Sequence, residues 1–171
     1  QGRYAYVATR GSSTIHIFDV SNPAAPLSLA TTSAGNAPHS VYVQGRYLYT
    51  VNRFVNTLQI FDISNPVAPT SISTKTTDAA PHYVYIQGRY AYIVNKTPDT
   101  LQIFDVSNPF APTSTASVST GADPIYVTVQ GRYAYVTHDA ANTLQIFDVA
   151  NPYAPTSVAS VTTGAAPHAV S

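Results

Sequence analysis

Apolar and polar positions alternate along this chain in short runs, and the runs come back in a fixed order. His39 to Val43 alternates, Tyr47 to Val51 is dense in Tyr and Val, and Thr57 to Ile63 alternates again. In the last of these, Leu58 and Ile60 fall on one face and Phe61 on the other, the two-residue period of a strand. Ser64-Asn65-Pro66-Val67-Ala68-Pro69 is turn chemistry, because Pro fixes φ and Asn tolerates turn geometry. Thr70 to Thr74 then reads as an outermost strand, where the donor lost at a nearby Pro does least harm. The pattern predicts four strands and leaves no place for a helix.

This order is a repeat. Gln-Gly-Arg-Tyr begins at Gln1, Gln44, Gln87 and Gln130, a period of 43 residues that divides the single domain 1–171 into repeats 1–43, 44–86, 87–129 and 130–171. A period in the low forties that carries only strand signals fits a four-stranded propeller blade. Between the first two strands of a blade, Gln44-Gly45 supplies a tight turn, with Gly available for a positive φ. The fold class expected is all-β, a β-propeller with four 43-residue, four-stranded blades per chain. Each blade buries both faces against its neighbours, so stacking is obligatory.

Composition narrows the partners. Apolar residues make up 44% of the chain and charged residues only 9%, against roughly 25% in ordinary soluble domains. Eight Lys and Arg balance eight acids, all of them Asp. A sparsely charged, neutral surface argues against nucleic acid, which needs a basic stripe, and against an electrostatic hold on an anionic membrane. The absence of Cys removes thiolate metal sites. No apolar run reaches the roughly 20 residues of a membrane span. With neither Met nor a signal segment, the chain reads as a processed product, a fragment or a trimmed piece.

Gln87-Gly88-Arg89-Tyr90-Ala91-Tyr92-Ile93-Val94 and Thr100-Leu101-Gln102-Ile103-Phe104-Asp105-Val106-Ser107-Asn108-Pro109 resemble the units of the LVIVD-repeat family of bacterial and archaeal surface proteins. The resemblance runs through all four repeats. It implies a propeller and an extracellular or cell-surface origin, and it carries no catalytic residues across. The regular spacing also resembles an engineered or recently amplified array.

Propellers close at roughly four to eight blades, so the chain is either a closed four-bladed ring or half of an eight-bladed ring completed by a second copy. The half-ring is the preferred reading, because Tyr6, Tyr49, Tyr92 and Tyr135 are bulky for a very tight ring. The expected partner is therefore the chain itself, as a homodimer. The chain opens on the second strand of a blade and finishes on Pro167-His168-Ala169-Val170-Ser171, the start of a first strand. That piece is expected to complete a composite blade and cover two sheet edges.

Two groups of residues stand out as candidate sites. The turns carrying Gln-Gly and Asn-Pro scarcely vary between repeats, whereas the opposite rim does. Arg10, Arg53, Phe54, Lys96 and His138 are its most distinctive members and form a candidate ligand face. His39, His82 and His168 recur at the entrance to the innermost strand, with Ile125 in the fourth place, and form a candidate ring at the channel mouth. An axial metal or anion site is one reading of that ring; imidazoles bonded to solvent or backbone is the preferred one. Asp19, Asp62, Asp105 and Asp148 precede Asn-Pro and are read as acceptors for turn amides. Arg3, Arg46, Arg89 and Arg132 are read as their partners or as donors to carbonyls. No nucleophile elbow, phosphate loop or metal motif occurs, so no catalytic residue, cofactor or metal is assigned. The functional expectation is a non-enzymatic module, structural or designed, that assembles into a ring; the alternative is an extracellular module that binds protein or glycan through the variable rim.

Overall fold

A computed structural model describes residues 2–170. Its first sheet holds β1 (Tyr4–Thr9), β2 (Thr14–Asp19) and β3 (Leu27–Ser33). The second holds β4 (Pro38–Gln44), β5 (Tyr47–Asn52), β6 (Thr57–Asp62) and β7 (Thr70–Thr76). The third holds β8 (Pro81–Gln87), β9 (Tyr90–Asn95), β10 (Thr100–Asp105) and β11 (Thr113–Ser119). The fourth holds β12 (Pro124–Gln130), β13 (Tyr133–His138), β14 (Thr143–Asp148) and β15 (Thr156–Thr162). Each sheet is an antiparallel meander, and no helix is present among the described residues.

Two features differ from the sequence expectation. Gln44 pairs with Tyr47, so the two-residue turn is Gly45-Arg46, one residue later than read. Gly45 there takes φ +60°, as do its equivalents within a few degrees, which is the Gly-first arrangement of a two-residue hairpin. The first sheet has three strands rather than four, because β1 has no innermost neighbour among the described residues. A structural blade accordingly runs from Pro38 to Thr76, whereas the sequence repeat 44–86 cuts it after its first strand.

The blades stack through three apolar seams. Ile15 of the first packs on Leu48, Phe61 and Ile63 of the second. Leu58 and Ile60 of the second meet Val84, Ile86 and Phe104 of the third. Leu101 and Ile103 of the third meet Val127, Phe147 and Val149 of the fourth. Leu58 and Phe61 thus serve opposite seams, as their alternation requires. Polar bonds fasten each link at the same place. The side-chain oxygens of Gln59, Gln102 and Gln145 each accept the amide of Gly35, Asp78 and Gly121, respectively, at 2.9 Å.

Below the seams, the repeated Asp and Arg residues do structural work. Asp19, Asp62, Asp105 and Asp148 accept the amides of Ser21, Ser64, Ser107 and Ala150 at 2.9 Å. Each also pairs with the Arg of the Gly-Arg step that leads into its blade's Tyr-rich strand: Arg3, Arg46, Arg89 and Arg132. The guanidinium, followed by the turn amide, holds the Asp62 carboxyl down at about 2.

The two end faces of the stack remain open. Ile146 and Leu144 of the fourth blade occupy the frame of Ile103 and Leu101, yet they are only half-buried. On the first blade, Phe18 is half-buried where Phe61, Phe104 and Phe147 are fully buried, and Val7 is 46% exposed. Pro167–Val170 lies outside any strand.

Candidate functional site: the channel mouth

The innermost strands β4, β8 and β12 bring two kinds of side chain to the axis. At their start, a bulge between Pro38 and Ser40, and again between Pro81 and Tyr83, leaves His39 and His82 outside the strand pairing. His39 Nδ1 lies 3.1 Å from the carbonyl oxygen of His82, and His82 Nδ1 lies 2.9 Å from that of Ile125. The rings are 4.0 Å apart between centroids. A carbonyl only accepts, so each Nδ1 carries the proton and donates it. The neutral imidazoles therefore keep an Nε2 lone pair for an incoming donor.

Three cations surround this pair. Arg53 and Lys96 follow the second strands of their blades, and their amides are tied to the carbonyls of Ala37 and Ala80 at 2.9 and 3.0 Å, next to the histidine-bearing segments. Arg10 comes from the first blade and lies over the ring of Phe54, 5.1 Å from its centroid. Phe54 itself is 59% exposed. Burial chiefly lowers the affinity of His39 for a proton, and Arg53, Arg10 and Lys96 lower it further against the opposing effect of the His82 carbonyl. His82 is pushed down to about 4 by burial and then by His39, with Lys96 and Arg53 adding to it. Both imidazoles are thus neutral near pH 7. Lys96 contacts Asp123 at 2.6 Å, and its own proton affinity is lowered by burial and by Arg53.

The structure divides the sequence candidates. Arg10, Arg53, Phe54 and Lys96 lie with His39 and His82 in one constellation. His168 does not join it within the chain: it lies on Pro167–Val170, which pairs with no strand. His138 was placed on the variable rim and is instead completely buried, since its strand position turns the side chain into the blade. Its Nδ1 lies 3.3 Å from Thr143 Oγ1. No group of three or more metal-ligating side chains forms among the described residues.

Sequence reasoning missed a second axial group. Tyr42 and Tyr85 meet edge to face at 5.0 Å, and Tyr83 and Tyr126 lie tilted at 4.1 Å. Burial, then the neighbouring phenols, raises Tyr42 and Tyr83 above the ordinary phenol range. Their recurrence on β8 and its neighbours was the available signal. Beyond them, a hollow of about 520 Å³ is lined by Tyr85, Thr128, Val129, Gln130, Tyr135 and Val170.

A mouth with neutral imidazole acceptors, a cationic collar and aromatic walls, set on stacked four-stranded blades, defines a β-propeller with a polar axial site. The chain belongs to the LVIVD repeat family, whose profile matches residues 1–31, 34–77, 82–120 and 125–163. No curated protein matches it by sequence comparison. Among solved structures, it is similar to the periplasmic gluconolactonase of Pseudomonas aeruginosa, with a TM-score of 0.85 at 16% identity over 96% of this chain and 52% of that one. A Bacteroides fragilis protein described as a 6-phosphogluconolactonase gives 0.83 at 18% identity, over 95% of this chain and 52% of the other. A Lactobacillus plantarum protein gives 0.81 at 15%, over 94% and 53%. The chain thus spans about half the length of the solved structures it matches.

These comparisons correct the functional expectation. The sequence alone points to a non-enzymatic ring-forming module, or else to a rim-binding one. Proteins named as sugar lactonases share its fold, so the fold gives no ground for setting catalysis aside.

Proposed function

We propose that two copies of the chain close an eight-bladed ring whose mouth binds a small polyhydroxylated acid and hydrolyses its lactone. The observation that carries this reading is the pair His39 and His82, each fixed through Nδ1 with Nε2 unprotonated, inside the collar of Arg10, Arg53 and Lys96. Cations suit a carboxylate or phosphate, and Nε2 lone pairs suit hydroxyl donors. The names of the gluconolactonase and the 6-phosphogluconolactonase with this fold are in keeping with such a ligand.

The chemistry needs no further group. Nε2 takes a proton from water as the water oxygen attacks the lactone carbonyl carbon. The oxyanion that forms is stabilised by the guanidinium of Arg53. Collapse breaks the ring C–O bond, and the imidazolium returns its proton to the leaving alkoxide. The products are a hydroxyl group and a carboxylic acid, which releases its proton to solvent and stays in the collar as a carboxylate.

Ring closure rests on the open faces. Ile146 and Leu144 present the surface that Ile103 and Leu101 bury, while Phe18 and Val7 present its counterpart. Pro167-His168-Ala169-Val170 has the frame of Pro81-His82-Tyr83-Val84, an innermost strand, and β1 lacks one. Such a head-to-tail contact closes when its rotation divides the circle.

The experiment is proton release from glucono-δ-lactone and 6-phosphoglucono-δ-lactone against the spontaneous rate, with the mass measured in parallel. We expect a mass near twice 18.2 kDa, hydrolysis above background, a loss of kcat/KM of at least about tenfold in Arg53→Ala, and a fall in kcat in His39→Asn. Wild-type hydrolysis at the spontaneous rate overturns the reading.

A further inference from the structure

The histidine ladder advances by one blade at each step. His39 reaches the carbonyl of the residue 43 positions on, and so does His82. Ile125 interrupts the ladder, and His168 resumes it in the same frame. Val170, two residues later, already lines a hollow with Tyr135 of the fourth blade. Val127 and Tyr92, the same two frame positions one blade earlier, pack together in a seam. The terminal segment therefore lies where the first strand of a following blade belongs, and in a ring of two chains that blade is completed by β1 of the other copy.

We infer that each half of the mouth is shared between two chains: His168 of one copy stands against His39 of the other, making a run of three imidazoles beside Arg10, Arg53 and Lys96. This rests on the ring proposed above. With Pro167–Val170 paired to β1, the His168 ring takes the place relative to His39 that His39 takes relative to His82, 4.0 Å between centroids. Its Nδ1 donates to the His39 carbonyl oxygen, and its Nε2 adds a third acceptor for a ligand hydroxyl. Arg10, which has no cationic equivalent on the fourth blade, where Asp139 holds its frame position, then faces that third imidazole. The shared residue acts on ligand binding in the half of the mouth whose His39 and His82 belong to the other chain.

Complementation tests the sharing. His168→Ala and Arg53→Ala are each assayed alone for kcat/KM on 6-phosphoglucono-δ-lactone, then refolded together. Alone, each loses about tenfold or more. In mixed rings both lesions fall on one half of the mouth and the other half is wild type, so about a quarter of wild-type capacity returns with wild-type KM. No recovery on mixing, with both variants confirmed as rings by mass, overturns the inference. His168→Asn, which keeps a donor for the His39 carbonyl, replaces His168→Ala if the latter fails to form rings.

A second readout is independent of catalysis. In the wild-type ring, nuclear Overhauser contacts join the His168 imidazole to the His39 imidazole, and they vanish in Ile146→Arg, which leaves the fourth-blade face unable to pair. A ring of two chains without those contacts overturns the sharing while leaving the lactone reading in place. Loss of lactone hydrolysis in the wild type with the contacts present does the reverse.

Discussion

The Nδ1–H of His39 is aimed at the carbonyl oxygen of His82, 3.1 Å away on the neighbouring blade. That bond fixes a tautomer and a blade-to-blade register together. It also ties the protonation of the mouth to the packing of the stack, since a half-buried imidazole gains a second proton only against the cations around it.

Acid should therefore weaken the fold before the carboxylates titrate. His82 is held at about 4 in the folded chain against about 6.5 unfolded. The unfolded chain binds the proton more readily, so stability is complete above about pH 6.5 and falls as pH drops toward 4. The group keeps some solvent contact, which reduces the effect to on the order of 1–2 kcal/mol. Urea midpoints at pH 7.5 and 4.5 measure it, and His82→Asn should flatten the difference.

The same frame position should respond differently in the middle and at the end of the stack. Ile103 is fully buried in the seam between the third and fourth blades, and Ile103→Arg should prevent folding. Ile146 is its half-buried equivalent on the open face, so Ile146→Arg should leave circular dichroism intact while the mass stays at 18.2 kDa. A folded variant at twice that mass would refute the head-to-tail face.

Gln102 tests the link. Its Oε1 accepts the amide of Asp78 at 2.9 Å, and its Nε2 donates to Ser114 Oγ at 3.4 Å. Gln102→Ala leaves a partly buried amide without its acceptor, which should cost about 1 kcal/mol, read from thermal or urea unfolding.

Salt should discriminate between the two parts of the mouth. The collar of Arg10, Arg53 and Lys96 is partly solvent-exposed, and ions screen such charges over about 10 Å at 0.1 M. Raising salt from 0.05 to 0.5 M, on the order of a threefold shorter screening length, should raise KM for the phosphorylated lactone several-fold. KM for glucono-δ-lactone, which lacks the phosphate, should change little.

Much of this architecture could be read from residues alone, because a strand announces itself over five or six positions and the frame repeats without slippage. Thr57–Asp62 and Thr70–Thr76 lie within two residues of their expected bounds, and Leu58 and Phe61 serve the opposite seams their parity assigns. The mouth was legible only as separate pieces. Arg10, Arg53 and Lys96 are 43 residues apart in sequence, and only the curvature of the stack brings them onto one pair of imidazoles. His138 failed as a rim residue because it ends a strand, where parity, rather than its place beside a variable loop, sets the direction of the side chain. The lactonase likeness had no local motif to reveal it, since at 15–18% identity only the backbone path is held in common.

The glutamine clasp at Gln59, Gln102 and Gln145 has a mechanical consequence. Each blade is fastened to its neighbour and to nothing farther away, so the stack behaves as a one-dimensional chain of coupled units. Such a chain frays from its ends: β15, exposed along its whole length, should lose its amide protection early, and β9 and β10 late. Joining the ends does more than add contacts. It leaves the array without a place where fraying can begin.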